Sequence, residues 1–189
     1  MEAFGAEVVV INSPGGKITP ELIQKMKNKA YELAEQPNTF YADQFNSPDI
    51  KNGYESLGVE IASQLENKAD VLCAAVGTGG ALMGTYSGMV SSGMDPKLIA
   101  LEPLQSPLLT TGEGGAHRVE GIGLGFEPPF LDKEKVDEMR AIDEEDAFEM
   151  CRLLAKEEGI LGGGSTGLNV CAAIEIAKEI GPGKRVVTL

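Results

Sequence analysis

The stretch Val71-Leu72-Cys73-Ala74-Ala75-Val76-Gly77-Thr78-Gly79-Gly80-Ala81 constrains this chain more than any other. Val71–Val76 is apolar or small throughout and reads as a buried strand. Gly77-Thr78-Gly79-Gly80 then carries almost no side chain, and a helical pattern follows. A strand that ends in a glycine turn and feeds a helix makes an anion site. The turn aims backbone N–H groups at one point, and the helix dipole adds partial positive charge there. Glycines are needed because a Cβ would block close approach of the anion.

Two well-known nucleotide patterns fail at this turn. In G-x-G-x-x-G, Gly77 and Gly79 fit, but Leu82 stands in the third glycine's place. No Lys-Ser/Thr pair follows, so a Walker loop is excluded as well. What remains is a compact phosphate cradle with one hydroxyl, Thr78. Taken alone, the turn fits a strand–helix junction without a ligand better than a phosphate site.

Apolar runs and helical repeats alternate along the chain. Glu7–Ile11 contains the β-branched run Val8-Val9-Val10-Ile11 and predicts a strand. Thr19 and Pro20 read as N-cap and first helical residue, with Ile23, Met26, Ala30 and Leu33 at helical spacing. Thr39-Phe40-Tyr41 is a second short strand candidate. Ile50, Tyr54, Leu57, Ile61 and Leu65 share one helical face. After the glycine turn, a helix to about Ser92 ends at Gly93. Leu98–Leu101 and Val136–Ile142 predict strands, and residues 104–130 carry little periodic pattern. Asp143 caps a helix that Gly159 ends, Ile160-Leu161 reads as a short strand, and a last helix stops at Gly181-Pro182-Gly183 before Val186–Leu189. The fold class expected is α/β: a parallel twisted sheet with helices on both faces. Opening on a helix-like tail and stopping in mid-strand is the pattern expected of a piece of a longer protein, with incomplete edges that favour aggregation.

Composition narrows the function classes. The net charge is −13 and no basic run occurs, which argues against nucleic acid and anionic membranes as partners. No window is long and apolar enough for a membrane span, and residues 1–7 lack the pattern of a signal peptide, so the cytoplasm is the expected location. Cys73, Cys151 and Cys171 show no metal spacing, and His117 is the only histidine, so no metal site is expected.

A second turn, Gly162-Gly163-Gly164-Ser165-Thr166-Gly167, has the same layout as the first. Two such turns at the C-terminal ends of parallel strands face one cleft. One can hold a phosphate and the other a ring nitrogen, and a neutral hydroxyl such as Ser165 leaves a pyridine nitrogen unprotonated. Gln44 is an amide donor suited to a substrate carboxylate, and Gly121-Ile122-Gly123 offers a backbone wall for a flat ligand. Individually, Ser165 fits a helix cap, Gln44 a solvated loop and Gly121–Gly123 a surface loop.

Taken together these residues resemble the cysteine synthase and cystathionine β-synthase family of fold-type II pyridoxal-phosphate enzymes. The resemblance rests on Ala3–Val8, Asp43-Gln44-Phe45, Val76–Gly80, Leu101-Glu102-Pro103 with Ser106-Pro107, Glu120–Gly123 and Glu158–Gly167, in that order along essentially the whole chain. It implies that Gly77, Thr78, Gly79, Gly80 and Ala81 bind the phosphate of pyridoxal 5′-phosphate and that Ser165 meets the pyridine nitrogen. It implies further that Gln44, Gly121, Ile122 and Gly123 line the substrate side. The implied reaction is β-replacement on O-acetylserine or serine, with sulfide or a thiol adding, in a homodimer. Residues 1–56 then correspond to the rest of a small mobile domain, and residues 57–189 to a truncated large cofactor domain.

This chain departs from the family pattern at three places. Ala81 replaces the usual Thr of the phosphate loop, and Gly53 stands where the family usually has His. None of its lysines matches the motif of the Schiff-base lysine, which is expected upstream together with the Ser-Gly-Asn substrate loop. The chain alone is therefore expected to be inactive. A serine/threonine dehydratase or a diaminopropionate-type synthase keeps the cofactor and changes the reaction, and a non-catalytic phosphate-binding module is the alternative of a different class.

Overall fold

The computed structural model describes the backbone of residues 1–189 and every side chain except that of Pro14. In chain order the elements are α1 (Pro20–Ala34), α2 (Asp49–Asn52), α3 (Glu55–Gln64), β1 (Val71–Ala75), α4 (Gly80–Ser91) and β2 (Lys97–Pro103). There follow α5 (Leu108–Thr111), β3 (Glu138–Ile142), α6 (Glu144–Leu153), α7 (Gly164–Ile180) and β4 (Val186–Thr188). A widened turn, Leu154–Glu158, extends α6 to Gly159.

The four strands form one sheet in the order β3-β2-β1-β4, and every pairing is parallel. Parallel strands need crossovers, and helices supply them, so both faces of the sheet become covered. Alternation along β1 and β2 separates the two cores. Leu72, Ala74, Leu98 and Ala100 pack with Leu82, Met83 and Met89 on one face. Val71, Cys73, Ile99 and Leu101 pack with Ala147, Leu168, Ala172 and Ile176 on the other. Leu72, Leu98, Leu101 and Leu168 are completely buried, and each such side chain contributes roughly 1.5–3 kcal/mol over leaving it in water. The expected parallel sheet with helices on both faces is therefore present.

Glycine sets how closely the helices approach. A Cβ on Gly58 of α3 would overlap the Thr85 carbonyl of α4 and stand 2.7 Å from Met89 N. A Cβ on Gly88 would overlap the Glu55 carbonyl. The backbones of α3 and α4 thus touch, and this clamps the helix that follows the glycine turn. On the other face, Gly167 of α7 admits the Ala147 carbonyl of α6 in the same way.

Caps stand where the sequence puts them. Thr19 Oγ1 accepts the Leu22 N–H at 3.2 Å to start α1, and Asp143 Oδ1 accepts the Glu145 N–H at 2.8 Å to start α6. Three expected strands do not form. Glu7–Ile11 and Thr39–Tyr41 have no regular structure and no strand partner, with Val10 at 71% and Phe40 at 90% exposure. Ile160-Leu161 is also irregular, and Leu161 is 93% exposed. In each case β-branched or apolar composition describes a tendency, whereas a strand exists only where a neighbour accepts its hydrogen bonds. The helix predicted over Ile50–Leu65 is interrupted at Gly53-Tyr54, giving α2 and α3. Among the described residues no helix is long and apolar enough to cross a membrane.

Candidate functional site

The C-terminal end of β1 opens into a cleft of about 430 Å³. It is lined by Gly77, Thr78, Gly79 and Ala81 from the first turn, Ser165 from the start of α7, and Gln44, Gly121 and Ile122 from loops. Ala75, Leu82, Ile50 and Tyr54 complete the wall. Eight of the ten residues singled out in the sequence therefore line one space. Gly80 and Gly123 do not. Gly80 is buried as the first residue of α4, where a Cβ would stand 2.6 Å from the Ile50 side chain. Gly123 turns towards the imidazole of His117 behind the wall.

The turn itself is shaped for a small anion. Gly79 has φ +87°, and a Cβ on it would stand 2.7 Å from Leu131 N. A Cβ on Gly77 would overlap the Gly121 carbonyl oxygen. Only glycine permits both the left-handed turn and this approach. Thr78 Oγ1 accepts the Gly80 N–H at 3.3 Å, leaving the hydroxyl hydrogen to point outward. Phe130 N–H donates to the Thr78 carbonyl at 3.0 Å and fastens the turn from behind. Among the described residues, the N–H groups of Gly77, Thr78 and Gly79 meet no protein acceptor.

Electrostatics at the cleft runs opposite to that of the whole chain. The net charge is −13, yet no charged side chain lines the cleft among the described residues. Two helix N-termini, those of α4 and α7, open into it. Each brings unsatisfied N–H groups and roughly half a positive charge. The cleft therefore offers an anion backbone N–H groups and neutral hydroxyls, with no charged side chain among the described lining residues. The ordering of α7 is fixed from below: Asn169, 6% exposed, accepts the Ala75 N–H at 2.7 Å and donates to the Leu189 carbonyl at 2.7 Å.

Sequence reasoning placed Ile50 and Tyr54 on a packed helical face, whereas both border the cleft. The signal that separates the two roles is the break at Gly53, which turns α2 against α4. Gly53 itself caps α2 and stays outside the lining. A second, more apolar cavity of about 590 Å³ adjoins the first, sharing Gln44 and Gly121 with it. Ile18, Leu22, Ile23, Met26 and Ala30 form much of its wall. Among the described residues no group of three or more His, Cys, Asp or Glu is arranged to hold a metal.

The pyridoxal-phosphate dependent enzyme family model matches residues 1–189. The chain belongs to that family. Its members use pyridoxal phosphate, and the site is consistent with this group: a tight turn whose packing admits no Cβ at Gly77 or Gly79, free N–H groups, and a hydroxyl across the cleft. Among curated relatives, a cysteine synthase of Staphylococcus aureus is 40% identical over 191 residues, covering 100% of this chain and 60% of that protein. A probable cysteine synthase of Bacillus subtilis is also 40% identical, with the same shares. The chain thus spans about 60% of the length of the curated relatives it matches. Solved structures agree on the fold. An O-acetylserine dependent cystathionine β-synthase of Helicobacter pylori superposes with TM-score 0.86 at 36% identity, covering 99% of this chain and 60% of that one. A hydrogen sulfide-producing enzyme of Fusobacterium nucleatum gives TM-score 0.87 at 30% identity, covering 100% and 62%.

Proposed function

We propose that this chain is the cofactor-holding part of a cysteine synthase-like β-replacement enzyme acting on O-acetylserine or serine with sulfide or a thiol. The observation that carries the reading is the convergence of Gly77–Gly79, Ser165, Gln44 and Gly121 on one cleft without charged side chains. In this reading the N–H groups of Gly77, Thr78, Gly79 and Ala81 and the Thr78 hydroxyl hold the cofactor phosphate, and Gly80 braces the turn by donating its N–H to Thr78 Oγ1. Ser165 presents a neutral hydroxyl to the pyridine nitrogen, and Gln44 donates its amide to the substrate carboxylate. Gly121 and Ile122 form the flat wall, while Gly123 supports it from behind. The bound cofactor supplies an electron sink for the substrate's α-carbon, and the protein supplies position and electrostatics. Ala81 turns a methyl into the cleft where relatives usually offer a second hydroxyl, which favours a looser phosphate grip. Residues 1–56 are read as part of a small domain and 57–189 as part of the large one. A homodimer in the cytoplasm is the assembly this reading carries.

Among the described residues no lysine lines the cleft, and covalent catalysis with this cofactor needs one at the ring. The chain alone is therefore proposed to bind without catalysing. Titration with pyridoxal phosphate, followed by absorbance and by competition with inorganic phosphate, tests the cradle. Borohydride treatment of the loaded chain should label no single lysine stoichiometrically. One stoichiometrically labelled lysine together with a surviving β-replacement rate would overturn the inactive-alone reading, and absence of any binding would overturn the cofactor reading.

A further inference from the structure

His117 and Ser106 lie outside the cleft, and neither has a role in the reading above. Both are fully buried, at 1% and 0% exposure, and both converge on one atom. His117 Nε2 lies 2.9 Å from the Gly123 carbonyl oxygen. Ser106 Oγ lies 3.4 Å from the same oxygen. The proton positions follow from the other partners. Val119 N–H donates to His117 Nδ1 at 3.2 Å, so Nδ1 is the acceptor and Nε2 carries the hydrogen given to Gly123. Gly115 N–H donates to Ser106 Oγ at 3.1 Å, which leaves the serine hydrogen for Gly123 as well.

Gly123 is in turn tied to the phosphate turn. Its N–H donates to the Val76 carbonyl at 3.3 Å, one residue before Gly77. It sits at φ +57°, and a Cβ would stand 2.8 Å from His117 Nε2 and 3.1 Å from Pro103 Cδ. The loop is pressed against the imidazole with no room between. On its far side, the His117 carbonyl accepts the Ile18 N–H at 2.9 Å, which joins the segment leading into α1. A continuous strap therefore runs Ile18–His117–Gly123–Val76 and ends where the cradle begins.

We propose that His117 is a positioning residue: with Ser106 it holds the Gly123 carbonyl and so fixes the Gly121–Gly123 wall against the phosphate turn. The proposal rests on the cofactor-binding reading for its purpose, though not for its geometry. A merely space-filling role would be served by any apolar side chain of similar volume. An imidazole buried with both nitrogens used is a costlier choice, since each nitrogen must be desolvated and then satisfied.

The test compares the full chain with H117M, which keeps bulk and loses the donor, and H117Q, which retains a side-chain N–H. Amide exchange of Gly123, followed by NMR, reads the wall directly and without cofactor. In H117M that exchange should quicken about tenfold, the worth of one buried hydrogen bond, and pyridoxal-phosphate affinity should fall by a similar factor. H117Q should restore both to within about twofold of the parent. The parent's imidazole ¹⁵N shifts should report the Nε2–H tautomer. Unchanged Gly123 exchange in H117M, or an H117Q as impaired as H117M, overturns the proposal. If the parent chain binds no cofactor, the functional reading fails while the exchange measurement still decides the role of His117. Should H117M not fold, S106A, which removes the weaker donor, carries the test: its Gly123 exchange must quicken, and no change there overturns the proposal.

Discussion

Asn169 in α7 accepts the Ala75 N–H at the end of β1 at 2.7 Å. Through this bond the helix that presents Ser165 is registered on the strand that leads to Gly77. The amide nitrogen of the same side chain donates to the Leu189 carbonyl beyond β4 at 2.7 Å. One side chain thus joins the two glycine turns and a neighbouring strand. Asn169→Leu keeps the branched shape and leaves the Ala75 N–H and the Leu189 carbonyl without this partner. It should cost about 2–3 kcal/mol of unfolding free energy, read from urea denaturation, and should weaken pyridoxal-phosphate binding as Ser165 loses its register.

Gly77 and Gly163 offer a matched pair of alanine substitutions. A Cβ on Gly77 would overlap the Gly121 carbonyl, whereas one on Gly163 meets nothing within 4 Å. Gly77→Ala should therefore cost about 1–3 kcal/mol and lower cofactor affinity at least tenfold. Gly163→Ala should change stability by less than about 0.5 kcal/mol. Equal effects at both positions, measured by denaturation and by cofactor titration, would contradict the wall-against-turn geometry.

The parallel sheet was legible because its strands are short apolar runs between helical repeats. The two glycine turns were legible because so many small residues after such a run have few other uses. Thr19, Asp143 and Gly93 announced helix ends through local chemistry that needs no tertiary context. The false strands at Val8–Ile11 and Phe40 have a shared cause: strand formation is decided by a pairing partner elsewhere in the chain, which composition does not show. Tyr54 was hidden for a related reason. Helical spacing placed it on a core face, and only the break at Gly53 turns it to the cleft. The roles of His117, Ser106 and Asn169 were not legible, since Gly123 lies 6 and 17 residues from the first two and Ala75 lies 94 residues from Asn169.

Gly88 tests the crossing that holds α4 beneath the turn. In a solvent-exposed helix interior, Gly→Ala stabilises by roughly 0.5–1 kcal/mol. Here the new Cβ would overlap the Glu55 carbonyl of α3 and stand 2.9 Å from Gly58 Cα. The sign should reverse, and Gly88→Ala should lower stability by about 1–3 kcal/mol. A rise in the thermal midpoint would mean that α3 and α4 do not meet backbone to backbone.

Cys171 supplies a pH dependence with a definite sign. Burial first, then the nearby carboxylates of Asp146 and Glu175 and the Cys151 thiol, push its thiol up to about 11 from an ordinary value of 9.0. The folded chain therefore holds the thiol proton more tightly than the unfolded chain does. That contribution to stability is fully present below pH 9 and is lost as pH rises through about 11. Urea midpoints measured from pH 8 to pH 11 should fall across this window, and Cys171→Ala should flatten the fall. Native-state alkylation of Cys171 at pH 9 should be slower than in urea by a factor on the order of fifty, because the thiolate is the reacting form. Equal alkylation rates in the two states would place Cys171 in water rather than against α6.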